Sequence, residues 1–391
     1  MAASVIKRVM IYFDNNATTQ VAPEVFDAMR PYLTASYANP SSAYAFGRET
    51  SKAVDAARES VAGLLGAANS DEIVFTSCGT ESDNWAILGA IWAGEGKNQI
   101  VTTRVEHDAV CKLCEKLGRN NYKVTWLEVD EDGLLDLDAL RSALNDKTAV
   151  VSVMLANNET GVLFPVEEIA SIVKENSNAL FHVDGVNAAG KIPIDLKSTQ
   201  IDLFSISAHK FHGPKGIGAL YIRDGIDLKP FFTGGGQEQG RRAGTEAVHQ
   251  IAGIGAAAEF VKDISPIAKI RELRDRLESN ILNTIPNSRL NGTVDPARRL
   301  PNTSNISFEN TNGEAILARL DTAGVCVSTG SACNAQGHTA STVLEAMNVP
   351  YSYAMGAIRF SLGRFNTADE VDHVLEILPQ IVSGLRDLAR E

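Results

Sequence analysis

Cysteine is scarce in this chain: five residues among 391, at positions 78, 111, 114, 326 and 333. A set that is odd in number and scattered in position excludes a disulfide framework and points to reduced thiols. No apolar run of about 20 residues occurs, which argues against a transmembrane helix. Between Met1 and Met10 there is no signal-peptide apolar core before the strand-like Ile11-Tyr12-Phe13. The cytoplasm is the expected compartment. An excess of positive charge is missing too. Lys and Arg total 36 against 48 Asp and Glu, a formal net charge of −12. Direct binding of nucleic acid or of an anionic membrane surface is therefore not expected, although a local basic patch such as that around Arg241 and Arg242 is present. Neither an internal repeat nor a low-complexity linker is found.

What is present is apolar material, 44% of residues, in a chain whose length suits two domains. Short β-branched runs alternate with helical patterns. The strand candidates are Glu72–Phe75, Gln99–Thr103, Lys123–Val129, Ala149–Leu155, Ala179–Val183, Asp202–Ile206 and Gly218–Arg223. Helical stretches between them include Ser82–Ala93, Asp108–Leu117 and Pro165–Glu175. Apolar strands separated by helices predict a mostly parallel sheet with covered faces. The pattern changes near residue 260. Ser265-Pro266 reads as a helix N-cap and first residue, ahead of an apolar stripe at Ile267, Ile270, Leu273, Leu277 and Ile281. Thr367 with Glu370 reads as a capping box opening the last helix. The expected architecture is α/β: a large, mostly parallel sheet domain over 15–260, and a smaller α+β domain from 1–14 and 261–391.

In sheets of this kind ligands bind beyond the carboxyl ends of the strands, and the residues there are polar. Ser77-Cys78-Gly79-Thr80-Glu81-Ser82 opens a helix; Gly79 permits close approach, and Thr80 adds a hydroxyl to free helix-terminal N–H groups. That combination suits a phosphate, although singly it reads as a capped turn. Glu106-His107-Asp108 and Ala156-Asn157-Asn158-Glu159-Thr160-Gly161 follow the next strands; alone, the histidine reads as structural and the second cluster as a turn. Asp184 ends the apolar Phe181-His182-Val183. A carboxylate buried there needs a partner, for which a protonated pyridine nitrogen is suitable. Lys210 closes Ser205-Ile206-Ser207-Ala208-His209-Lys210. Desolvation at a strand end depresses a lysine's pKa and makes it a competent Schiff-base amine; in isolation it is a solvated loop lysine. Phosphate loop, histidine, aspartate and lysine stand in the order that a pyridoxal-phosphate enzyme needs. Cys111 and Cys114 fall within a helical pattern and read as helix cysteines rather than a zinc or redox pair, and Cys326 reads as a buried strand residue.

At this point the chain resembles a known family, the NifS/IscS-type cysteine desulfurases of the aminotransferase-like, fold-type I pyridoxal-phosphate enzymes. The resemblance runs from Tyr12-Phe13-Asp14-Asn15-Asn16-Ala17-Thr18-Thr19 to Ile358-Arg359-Phe360-Ser361-Leu362-Gly363-Arg364. Between them stand Cys-Gly-Thr-Glu-Ser at 78–82, Glu-His at 106–107, Ala-Asn-Asn-Glu-Thr-Gly at 156–161, Ser-Ala-His-Lys at 207–210, Arg-Arg-Ala-Gly-Thr at 241–245 and Ser-Thr-Gly-Ser-Ala-Cys at 328–333. The resemblance implies a homodimer that takes sulfur from L-cysteine, releases L-alanine and parks the sulfur as a persulfide on Cys333. Lys210 would hold pyridoxal 5'-phosphate covalently and shuttle the Cα proton. Asp184 would pair with the ring nitrogen, His107 would stack on the ring, and Asn158 would bond its phenolic oxygen, with Asn187 also near the ring. Gly79, Thr80, Ser207 and His209 would bind the phosphate, joined by Thr245 from the other subunit. Arg359, with Asn39, would hold the substrate, the arginine clamping its carboxylate. Gly330 and Ala332 would allow the Cys333 loop to move. A sulfur-acceptor protein, such as an iron–sulfur scaffold or sulfurtransferase, would take the persulfide.

Three positions depart from the family pattern. Asn187 stands where a glutamine is usual, Tyr44 where a histidine is more common, and Asn334 to Thr339, with His338, replaces a Ser/Glu/Pro-containing stretch. The sequence also stops at Glu391 without the longer tail that housekeeping relatives use to dock the scaffold, so the reaction is better specified than its pathway. Rival readings are a selenocysteine lyase or another lyase of the same fold, and a non-catalytic sulfur carrier. The carrier would need Cys333 and no lysine motif.

Overall fold

The computed structural model describes residues 10–329 and 340–388. Twelve strands occur among them: β1 (Ile11–Tyr12), β2 (Ile73–Thr76), β3 (Gln99–Thr103), β4 (Lys123–Leu127), β5 (Thr148–Met154), β6 (Leu180–Asp184), β7 (Leu203–Ser207), β8 (Gly218–Ile222), β9 (Ser288–Leu290), β10 (Thr303–Phe308), β11 (Val325–Cys326) and β12 (Ala357–Ser361). Seven form one sheet in the order β2-β8-β7-β6-β5-β3-β4. Every pairing among β3 to β7 is parallel, and only β8, between β2 and β7, runs against its neighbours. This is the expected mostly parallel sheet. Its central strands are apolar and wholly buried, as β5 shows along its length, because helices cover both faces.

The helices that follow the strands start where polar residues release the chain. The helix Gly79–Ala93 begins three residues before the predicted Ser82, so Gly79 and Thr80 lie in its first turn. His107 caps the helix Asp108–Gly118, its Nδ1 accepting from the Ala109 N–H at 3.1 Å. Cys111 and Cys114 sit within that helix, and burial pushes the Cys114 thiol up to about 12. A helix covers Val166–Asn176, close to the prediction.

Beyond residue 260 the helix Pro266–Thr284 carries Pro266 in its first turn. Ser265 differs from expectation. Its side chain caps nothing; instead its own N–H is taken by Asp263 Oδ1 at 3.0 Å, which leaves the serine in helical conformation. The capping box holds: Glu370 N–H donates to Thr367 Oγ1 at 3.3 Å, and Thr367 N–H to Glu370 Oε2 at 3.0 Å, at the start of the helix Ala368–Leu388. The antiparallel sheet β12-β10-β9 and the parallel pair β1–β11 pack with these helices. Ile11 and Phe13 share that core with residues from Ile270 to Val382, whereas Ala340 to Ala357 pack into the core of the large sheet. Cys326 lies on β11 as expected, but half-buried rather than buried.

Candidate active site

The strand order reverses between β3 and β5, and a sheet opens a crevice at such a point. A cavity of about 370 Å³ lies there, lined by residues that follow β2, β3, β5, β6 and β7. Asp14 and Asn16, just beyond β1, and Arg359 of β12 face it as well. A larger cavity of about 530 Å³ runs beside the helix Val166–Asn176. Among the described residues its wall is mostly aliphatic and contains neither histidine nor lysine, so the chemistry belongs to the smaller one.

One end of the cavity is built for an anion. The helix Gly79–Ala93 points its first turn at it, where N–H groups have no intrahelical acceptor. Gly79 is required by packing: a Cβ there would lie 2.8 Å from Val186 Cγ2 and 3.4 Å from Ser207 Cβ. Ser207, at the end of β7, and His209 line the same wall. His209 Nδ1 is 3.2 Å from Thr18 Oγ1, and burial, with Lys210 and Lys215 nearby, lowers its pKa to about 4. It is therefore neutral at pH 7 and keeps one ring N–H to donate.

Lys210 leaves β7 on a short 3-10 turn, Ala208–Lys210. Its Nζ donates to the backbone oxygens of Asn16 at 2.5 Å and Ala17 at 3.2 Å. Opposite, Asp184 ends β6 with Oδ1 accepting from Val186 N–H at 2.9 Å. Burial raises its pKa, while His107 and Lys210 act to lower it. Behind it stands a buried polar set outside the predicted site. Asp83 is pushed well up by burial and by Asp184. It lies 3.5 Å from Nε2 of His182, whose ring also reaches Ser152 and Ser205 at 2.9 Å. Burial holds His182 down to about 3, hence neutral.

Asn187 lines the cavity with its side chain engaged by neighbouring groups. Its Oδ1 accepts from Lys191 Nζ at 2.7 Å and its Nδ2 donates to the Asn157 carbonyl at 3.3 Å. Lys191 also donates to Asn16 Oδ1 at 2.9 Å; burial, with Lys210 and Arg359 close, pulls its pKa well below the lysine range. Glu159, likewise buried, is raised to about 7 by burial and accepts from Ser341 Oγ at 2.5 Å.

Ten of the predicted site residues line this one cavity: Lys210, His107, Gly79, Thr80, Asn158, Asp184, Asn187, Ser207, His209 and Arg359. Asn39 and Thr245 are exposed and do not line it, and Tyr44 is exposed too. Cys333, with Gly330, Ala332 and His338, lies outside the described residues. Sequence reasoning missed Asp14, Asp83, His182 and Lys191. Asp14 and His182 stand inside motifs already picked out, the only signal available for them.

No helix among the described residues is long and apolar enough to cross a membrane. Comparison with known proteins gives a consistent result. The aminotransferase class-V family model matches residues 11–374. A cysteine desulfurase of Trichormus azollae is 53% identical over 382 residues, spanning 97% of this chain and 94% of that protein. The cysteine desulfurase NifS of Azotobacter vinelandii is 48% identical over 383 residues, with 97% and 94% covered. Among solved structures, a NifS-like protein superposes with a TM-score of 0.89 at 40% identity, covering 96% of this chain and 100% of that one. Family model, relatives and fold agree that the chain belongs to the class-V aminotransferase family and, within it, to the NifS-type cysteine desulfurases.

Proposed function

We propose that this chain removes sulfur from L-cysteine, releases L-alanine and carries the sulfur as a persulfide on Cys333. The observation that supports this best is the meeting of Lys210, Asp184, His107 and Arg359 around one cavity beside an anion-binding helix terminus. The donor set fits pyridoxal phosphate. Thr80, Ser207, neutral His209 and the N–H groups at Gly79 suit its phosphate, and Thr245 of a second subunit would complete that end. Asp184 suits the ring nitrogen and Asn158 the phenolic oxygen. When bound, the cofactor supplies an electron sink for the pair released when the substrate's Cα proton leaves.

The protein's own groups do the rest. Lys210 holds the cofactor and then moves the proton at Cα; its amine starts from the carbonyl oxygens of Asn16 and Ala17, which orient it into the cavity. His107 is fixed by its capping bond at Nδ1, so Nε2 is the nitrogen that exchanges protons with the substrate. Arg359 and Asn39 hold the substrate. The Cys333 thiolate attacks the substrate sulfur as its C–S bond breaks. One sulfur thus passes from cysteine to Cys333, and a proton at the vacated carbon completes alanine. The persulfide then goes to an acceptor protein, for iron–sulfur clusters or another sulfur-containing product. The working form is a cytoplasmic homodimer, with residues 15–260 as the cofactor-binding domain and 1–14 with 261–391 as the domain carrying Cys333.

Alanine and sulfide released from L-cysteine in the presence of a thiol reductant test the reading, comparing wild type with Cys333→Ala. The expected result is alanine from the wild type and none from the variant, whose yellow cofactor absorbance is unchanged. A variant that desulfurates cysteine at the wild-type rate would show that no covalent capture by Cys333 occurs.

A further inference from the structure

The functional reading assigns the substrate's carboxylate to Arg359, and the role inferred for Asp14 rests on that reading. The guanidinium is buried and already engaged. Nη2 donates to Asp14 Oδ1 at 2.7 Å, Nη1 donates to the Asn158 carbonyl at 2.9 Å, and Nε has no hydrogen-bond partner among the described residues. Backbone, not a loose side chain, puts Asp14 there. It forms a parallel bridge to Ser361, two residues beyond Arg359 on β12. Asn15 N–H donates to the Ser361 carbonyl and Asn16 N–H to Ser361 Oγ, both at 3.0 Å. The Asn158 carbonyl is fixed in turn by Asn16 Nδ2 at 3.2 Å. Arg359 itself exchanges both backbone hydrogen bonds with Ser328, at 3.2 and 2.7 Å.

We propose that Asp14 is a positioning residue for substrate recognition: with the Asn158 carbonyl it holds one side of the Arg359 guanidinium and leaves the remaining donors for an α-carboxylate in the cavity. A guanidinium has five N–H donors in a rigid fork, and the two described bonds leave three. An arginine side chain without such anchors carries large rotamer entropy, which carboxylate binding would have to freeze. A buried guanidinium without a counter-charge is also costly. Asp14 removes both obstacles during folding. Its charge does oppose an incoming carboxylate, so competition is the rival effect, and the two predict opposite signs. If Asp14 mainly competes, removing it tightens substrate binding; if it orients, removing it loosens binding.

The test uses the purified cofactor-loaded protein and its Asp14→Ala and Asp14→Asn variants. KM and kcat are measured for L-cysteine, together with the dissociation constant of L-alanine by calorimetry, which needs no turnover. Loss of a hydrogen bond between charged groups predicts about a tenfold rise in KM and in the alanine dissociation constant for Asp14→Ala, with kcat within about twofold. Asp14→Asn keeps an acceptor oxygen toward Nη2, so its rise is smaller, about threefold. Should the alanine variant not fold, the asparagine variant decides alone. Unchanged or tighter binding in the variants overturns the proposal, as does a fall in kcat with KM constant. A wild type that yields no alanine from cysteine overturns the functional reading instead, and this inference with it.

Discussion

Glu106 shows what burial does to an acid in the cavity wall. Its Oε1 accepts from Thr103 Oγ1 at 2.7 Å and from Met154 N–H at 3.1 Å, while Oε2 has no partner among the described residues. Burial pushes its pKa up from 4.5 to about 8; the two hydrogen bonds oppose that rise and Asp184 adds to it. The folded chain therefore keeps a proton that the unfolded chain has lost between those two values, and stability falls as pH rises through that window. Asp83 and Asp184 are raised for the same chief reason, so absolute melting temperatures mix several acids. A difference between two variants isolates one. Glu106→Gln keeps the size and removes the titration. The melting temperature of the glutamine variant relative to wild type should climb by a few degrees from about pH 5 to about pH 8.5 and then level off. Scanning fluorimetry across that range measures it. A difference independent of pH would mean that Glu106 is ionised in the fold throughout.

At the scale of elements, the contact between one helix start and two strand ends governs the anion site. A Cβ on Gly79 would meet Val186 after β6 at 2.8 Å and Ser207 on β7 at 3.4 Å. Gly79→Ala should push the helix start away from Ser207 and weaken retention of pyridoxal phosphate about tenfold, read as its dissociation constant from absorbance. Shortening the partner in Gly79→Ala with Val186→Ala makes room for the methyl group and should restore most of that loss. If the double variant is no better than the single one, the contact with Val186 is not the cause of the defect. The same contact shows why the sequence is legible only in part. The β3 strand is legible to the residue, because a β-branched run buried on both faces leaves no alternative. The helix after β2 starts early because tertiary packing holds Gly79 and Thr80 in its first turn, against their weak propensity. Lys210, Asp184 and His107 are readable because each ends or follows a strand of one parallel sheet. Asp14 is not, since its partner Arg359 stands 345 residues away and two small strand pairings bring them together. Asp83 sits on a helix buried on almost every side, where periodicity singles out no polar residue. Asn187 is visible as a departure, but its capture by Lys191 follows from the turn Gly185–Gly190 and not from spacing.

At the scale of the whole molecule, one chain supplies most of the cavity but not every expected contact. Thr245 is exposed and off the cavity wall, and Asn39 is exposed on a stretch that also shows Phe26, Leu33, Tyr37 and Tyr44 to solvent. Large exposed apolar side chains concentrated in one stretch call for a cover, and in the proposed homodimer a second copy would provide it. A two-fold dimer would then place Thr245 of each subunit at the phosphate end of its neighbour's cavity. Mixing two defective variants distinguishes this from action within one chain. Lys210→Ala removes the cofactor-holding amine, and Thr245→Asp sets a negative charge beside the phosphate. Each homodimer should be inactive. In a hybrid, the subunit carrying Thr245→Asp retains its own Lys210 and receives an intact Thr245 from its neighbour, so one of its two sites is whole. The other site combines both defects. If subunits are unfolded together and refolded at equal concentration, half the dimers are hybrids, and about a quarter of wild-type alanine formation should return. If Thr245 acts within its own chain, every site in the mixture carries at least one defect and no activity returns, whatever the efficiency of exchange. Mass spectrometry of the intact dimers shows that hybrids have formed, so an absence of activity then counts against the shared site rather than against the mixing.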